Sequence, residues 1–167
     1  MMRSARSTKL FMETTRIDPQ KTVGEIQEVL GKYGASAIRM DYQDGLMGRE
    51  VVSVSFTIEV NRDQVPFRLP CRWICVLDTL MSRIRGERSD EYLEKKRGEY
   101  TPQAKRIAWR QILRWVEAQL ALVETGMVKM VEVFVPYMLM DKGKTLYEKL
   151  EETQFKMLEY QPGEKKS

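Results

Sequence analysis

The spacing of apolar residues divides the chain into stretches of different period. Between residues 22 and 34, Val23, Ile26, Val29, Leu30 and Tyr33 recur at helical spacing on one side. Asp18-Pro19 and the capping-box run Thr22-Val23-Gly24-Glu25 offer two starts for this helix, and Gly31 and Gly34 offer its end. From residue 36 to 73 the period shortens to two. Ile38, Met40 and Tyr42 alternate with Arg39, Asp41 and Gln43, then Val52, Val54, Phe56, Ile58 and Val60 with Ser53, Ser55, Thr57 and Glu59. Past a second turn at 61–64, Val65, Phe67, Leu69, Cys71 and Trp73 alternate with Pro66, Arg68, Pro70 and Arg72. The run predicts an antiparallel three-stranded meander. Pro66 and Pro70 remove ladder donors from one side of its last strand, which places that strand at an edge. The β-branched and aromatic residues of 8–17 predict a further strand, so the sheet is expected to have three or four.

Helical spacing returns in a short segment at 74–85, with Leu77, Leu80, Met81 and Ile84 on one face, and then in the longest amphipathic signal of the chain, residues 101–126. Thr101 and Pro102 suit the start of that helix and Gly126 its left-handed stop. Ala108, Ile112, Trp115, Val116, Gln119, Leu122 and Val123 share one side, with Trp109 and Leu120 at its shoulder. Arg106, Arg110 and Arg114 form a row opposite, with Glu117 beside them. Between the two helices, residues 87–100 interleave positive and negative charges and read as an exposed connection. Residues 127–140 suit either an extended piece or a helix broken by Pro136, with helix the favoured reading. Thr145 to Glu148 form a capping box that opens a final amphipathic helix carrying Leu146, Leu150, Met157 and Leu158. The expected fold is an α+β domain in β-α-β-β-β-α order with a C-terminal helical layer. Within a single domain, residues 1–86 supply the sheet and helix, 87–100 the connection and 101–160 the helical part.

Composition narrows the chemistry. With 43% hydrophobic and 31% charged residues the chain is of ordinary globular type, and its 167 residues suffice for one core. A net charge of +4 and a pI near 9.0 permit nucleic-acid or anionic partners without demanding them. Histidine is absent, which removes serine–histidine and cysteine–histidine nucleophilic machinery and histidine-ligated zinc. The two cysteines cannot define a disulfide scaffold, and the start lacks the apolar run of a secretory signal. No stretch reaches the ~18 apolar residues of a membrane span. These features together point to a reducing cytoplasm.

Among candidate sites, the arginine row is the one suited to phosphates. Guanidinium groups about 6 Å apart along a helix match a sugar-phosphate backbone. Lys105 lies nearby, Arg68 and Arg72 of the edge strand extend the patch, and Trp109 at its margin could stack a base. The same row also reads as a solvated face in which Glu117 pairs with Arg114. Cys71 and Cys75 lack the second pair of ligands that zinc requires and read as structural. Asp41, Asp44, Glu50, Glu59 and Asp63 flank the hairpins but lack the lysine that accompanies strand-borne nuclease carboxylates, so they read as solvated turn residues. No phosphate loop, dinucleotide fingerprint or nucleophile elbow is present. Neither catalytic residues, a metal nor a cofactor is assigned. Met127, Met130, Met138 and Met140 supply flexible side chains that fill cores and also serve protein-binding grooves.

The run PFRLP-x-RW at 66–73, with IAWRQILRWVEAQLALVETGMV and FVPYMLMD-x-GKTLYE further on, resembles small uncharacterised proteins carried by phages, prophages and other mobile elements. The resemblance spans most of residues 12–150 and transfers no activity. It implies a setting in which DNA-handling accessory proteins and inhibitors of host defence are common. The leading expectation is a non-enzymatic module binding nucleic acid or a nucleoprotein complex. The alternative is a protein-interaction module, either an inhibitor or a self-assembling subunit, and a metal-dependent nuclease ranks third.

Overall fold

The computed structural model describes residues 8–45 and 48–156. Its first helix, α1 (Pro19–Lys32), takes the earlier of the two starts. The Asp18 carboxylate accepts the Gln20 amide at 2.8 Å and Pro19 fills the first turn, while Thr22 lies buried inside the helix. The meander then forms as its period requires. Strands β1 (Ser36–Gly45), β2 (Gly48–Val60) and β3 (Asp63–Pro70) pair antiparallel in the order β1-β2-β3. Asn61 and Arg62, both left-handed at φ 52° and 73°, make a two-residue turn whose twist matches the strands it joins. Strand β3 is an edge, and the outward carbonyl of Pro66 accepts the Leu139 amide at 2.8 Å. Met138 bridges Phe67 alongside, so the C-terminal segment covers part of that edge.

Residues 8–17 do not add a strand. Glu13 and Thr15 donate their amides back to Leu10 and Met12 in successive turns, with Met12 left-handed at φ 64°. The remaining carbonyls find side chains instead of a ladder. Gln103 Nε2 donates to the Glu13 and Thr15 carbonyls at 2.7 and 2.9 Å, and Gln111 Nε2 to that of Phe11 at 2.8 Å. The β-branched content of the segment is thereby overridden by long-range amide contacts, and the order along the described chain starts α-β-β-β-α. Arg3 and Arg6, near the start of the chain, lie outside the described residues.

The charged connection is also corrected. Helix α2 (Trp73–Met81) ends earlier than expected, and α3 runs from Asp90 to Glu124, eleven residues before the Thr101 start. Ser89 caps it by accepting the Tyr92 amide, and Asp90 and Glu91 place negative charge on the positive end of the helix dipole. Pro102 therefore sits inside the helix, where it forgoes the bond to the Gly98 carbonyl. Thr101 is no cap and donates its hydroxyl to the Arg97 carbonyl at 2.7 Å. The predicted stop is correct. Gly126 is left-handed at φ 76°, and the Gly126 and Met127 amides return to Val123 and Leu122.

The core joins α1, the sheet and the C-terminal half of α3. Val23, Ile26 and Leu30 meet Val54, Phe56, Phe67 and Leu69, with Trp109, Leu113, Val116 and Leu120 between them. The buried arc of α3 is thus centred on residues placed at its shoulder by the sequence, because α1 covers Arg110, one of the positions assigned to solvent. Past α3, α4 (Met130–Phe134), a 3-10 turn at Val135–Tyr137 and bridge residues Met138 and Leu139 combine both readings of 127–140. Phe134 stands edge-on to Phe56 (5.3 Å) and Trp115 (5.7 Å), which pins this segment to sheet and helix together. Helix α5 (Leu146–Glu152) opens with the expected Thr145–Glu148 capping box; Met157 and Leu158, expected on it, lie outside the described residues. No helix among the described residues is long and apolar enough to cross a membrane.

Gly98 lies mid-helix with open space where a Cβ would project. Gly98→Ala should therefore raise stability by about 1 kcal/mol, seen as a higher urea midpoint with unchanged slope.

Candidate functional site

The structure scatters the cations expected to form one phosphate track. Arg110 is only 5% exposed and its guanidinium pairs with Glu25 of α1, leaving Nε as a buried donor without a protein partner. Arg114 is exposed and pairs with Glu117 at 2.7 Å, the bland alternative for this row. Arg106 donates through Nε to Gln103 at 2.9 Å. Lys105 pairs with Glu50 of β2 while standing 4.7 Å from the Trp73 ring centroid. Arg68 and Arg72 converge instead on α5. Arg68 meets Glu148 at 3.3 Å and Arg72 lies 6.0 Å from the Tyr147 ring centroid. Burial pushes the Glu148 carboxyl upward, but the Thr145 amide and hydroxyl and the two arginines outweigh it and hold the acid below its usual range. Trp109 is fully buried and cannot stack on a base.

What Lys105 and Arg106 do border is a cleft of about 800 Å³. Its floor comes from α2 and the middle of α3, where Trp73, Ile74, Leu77 and Pro102 meet. Ile74 is 55% exposed, and Leu77 beneath it is buried. The tip of the β1–β2 hairpin supplies Asp44 and Glu50, the cap of α1 supplies Asp18, and α3 supplies Glu94 and Arg97. Two rim cations are neutralised locally, Lys105 by Glu50 and Arg97 by Asp78 at 3.4 Å. Asp18, Asp44 and Glu94 then face the single unneutralised guanidinium of Arg106. Asp44 and Glu94 make no side-chain hydrogen bond or ion pair among the described residues. The cleft is therefore an apolar floor inside an acidic rim.

The other candidates resolve separately. Asp41 accepts the hydroxyls of the buried Ser53 (2.7 Å) and Ser55 and meets Arg39 at 3.1 Å, which occupies it structurally. Among the described residues no group of three or more cysteines and carboxylates converges as a metal site would require. Cys71 is buried where β3 leads to α2, and burial pushes its thiol up to about 12; Cys75 is exposed.

The sequence drew attention to cations and passed over the cleft's main parts. Trp73 and Ile74 read there as the end of a strand and the start of a helix, and Glu94 as part of a connection. Once α3 is extended back to Asp90, Glu94, Arg97, Thr101 and Lys105 fall on one side at 100° per residue. That periodicity was the available signal. Comparison of the chain with protein-family models, curated proteins and solved structures finds no match.

Two measurements check this arrangement. Glu25→Gln, which leaves Arg110 charged and buried, should lower stability by about 1–3 kcal/mol, whereas Arg110→Met should cost less because it also removes the unpartnered Nε. Iodoacetamide at mildly alkaline pH should label Cys75 in the native protein and reach Cys71 only after unfolding, as counted by mass spectrometry.

Proposed function

We propose that the protein is a non-enzymatic binding module whose working surface is the α2–α3 cleft and whose partner is a protein segment. The observation that carries this reading is the exposed Ile74 on an apolar floor, with Asp44 and Glu94 at the rim unpartnered among the described residues. An apolar floor rewards burial of a partner's side chain at about 25 cal/mol per Å². The rim favours lysine or arginine on either side of that anchor and repels phosphate. A basic peptide with one aromatic or aliphatic anchor therefore suits the cleft, and a nucleic-acid backbone does not. The expected nucleic-acid reading loses its main support here, because the cations assigned to it are buried, paired or set beside carboxylates. Inhibition of a host protein, one of the roles implied by the resemblance to phage and prophage proteins, is compatible with such a module.

The test is a panel of synthetic peptides in which a central Phe, Leu or Trp is flanked by Lys and Arg, with versions flanked by Glu, titrated into labelled protein. Basic members should bind, Glu-flanked members should not, and Ile74→Glu or the pair Asp44→Lys and Glu94→Lys should weaken binding about tenfold or more. Equal binding of basic and acidic members, or binding indifferent to all three substitutions, would reject the cleft as the working surface.

A further inference from the structure

Tyr92, Tyr100 and Gln103 fall on the side of α3 opposite the cleft and border a separate groove of about 480 Å³, within the size range of small-ligand sites. Its other wall is the segment linking α2 to α3, which contributes Arg83, Arg85 and Arg88. The sign of this groove is reversed. Its one lining carboxylate, Glu13, is held by Arg83 at 2.7 Å, an ion pair that keeps the acid below its usual range. Arg85 and Arg88 then remain without a carboxylate partner among the described residues. Arg88 donates to the neighbouring Glu87 carbonyl at 3.4 Å and rests 5.6 Å from the Tyr92 ring centroid. Left-handed Gly86 (φ 80°) turns the chain between the two arginines. The back wall is fixed, because Arg83 also donates to the Thr8 carbonyl at 3.0 Å and Gln103 to those of Glu13 and Thr15.

We infer that this groove binds single-stranded nucleic acid, with Arg85 and Arg88 contacting phosphates and Tyr92 and Tyr100 supporting a base. Two unneutralised guanidinium groups beside two tyrosine rings provide both components of single-strand recognition, a cationic path and an aromatic platform. Arginine in particular suits phosphate, since its planar fork donates two hydrogen bonds at once. In the cleft Lys105 covers the Trp73 ring and pairs with Glu50, and Arg106 stands among carboxylates, so this groove is independent of the peptide reading and the inferred nucleic-acid contact lies away from Arg106, Arg110 and Arg114.

The experiment is fluorescence anisotropy of the full chain with labelled oligothymidylate and oligouridylate of about twelve nucleotides across a salt series. Binding should weaken steeply with salt, fall about tenfold or more in the double variant Arg85→Glu and Arg88→Glu, and fall less with lysine at both positions, which keeps the charge but not the forked contact. Tyr92→Leu should weaken it further than charge alone explains, while Arg114→Glu and Ile74→Glu should leave it unchanged. All of these side chains lie at the surface, and matching circular-dichroism spectra would confirm intact folding. Absence of binding at low salt would overturn the inference. So would binding that survives the double charge reversal but is lost in Arg114→Glu, or equal displacement by an acidic peptide lacking phosphate.

Discussion

Everything in the structure depends on burying the C-terminal half of α3 from more than one side. Trp109, Leu113, Val116 and Leu120 lie between the sheet and α1, while Trp115 leans on Phe134 and Tyr137. Over this half the exposed strip narrows to positions such as Arg114, Ala118 and Ala121. Arg110 is the visible result, since a guanidinium in that arc needs Glu25 to come with it. A buried pair of this kind contributes less to net stability than its short contact suggests, because both charges gave up water to form it. Its stronger effect is on register, since α1 and α3 must meet where Glu25 reaches Arg110.

The N-terminal half of the same helix has a different character. Around Asp90 to Thr101 it rests on α2 and leaves most of its circumference in solvent. Interleaved charges stabilise it locally, as in Lys96–Glu99 one turn apart at 2.6 Å. One helix therefore serves as core spine at one end and as a partition between two oppositely charged grooves at the other. That division explains why the candidate surfaces cluster beside residues 92–106 and not along the conventional amphipathic stripe.

The sequence made most of the fold legible wherever a period was backed by burial. The alternation of 36–70, the left-handed stop at Gly126 and the Thr145–Glu148 cap each reflect local physics that tertiary contacts left in place. Failures came where one local signal had two meanings. Pro102 suits a first turn, yet it lies mid-helix here, and Ser89 caps the helix thirteen residues upstream. Residues 8–17 carry strand-like composition, but Gln103 and Gln111, some ninety to a hundred positions away, decide their conformation. The candidate site was less legible still. A row of arginines is visible by spacing alone, whereas whether each has a carboxylate nearby depends on α1, β2 and α5 folding against it.

The contact of Leu139 with Pro66 bears on how the protein behaves at high concentration. An open strand edge is a template for chain-to-chain pairing, and aggregation begins readily at such edges. Strand β3 is guarded twice, by prolines that lack donors and by the returning C-terminal segment. Strand β1, at the other side of the sheet, relies on irregular register and on Arg39 and Asp41 along its length. Loss of the 138–146 segment through proteolysis or truncation would therefore strip β3 of one of its two guards, leaving Pro66 and Pro70 as the remaining barrier to a strand added along that margin.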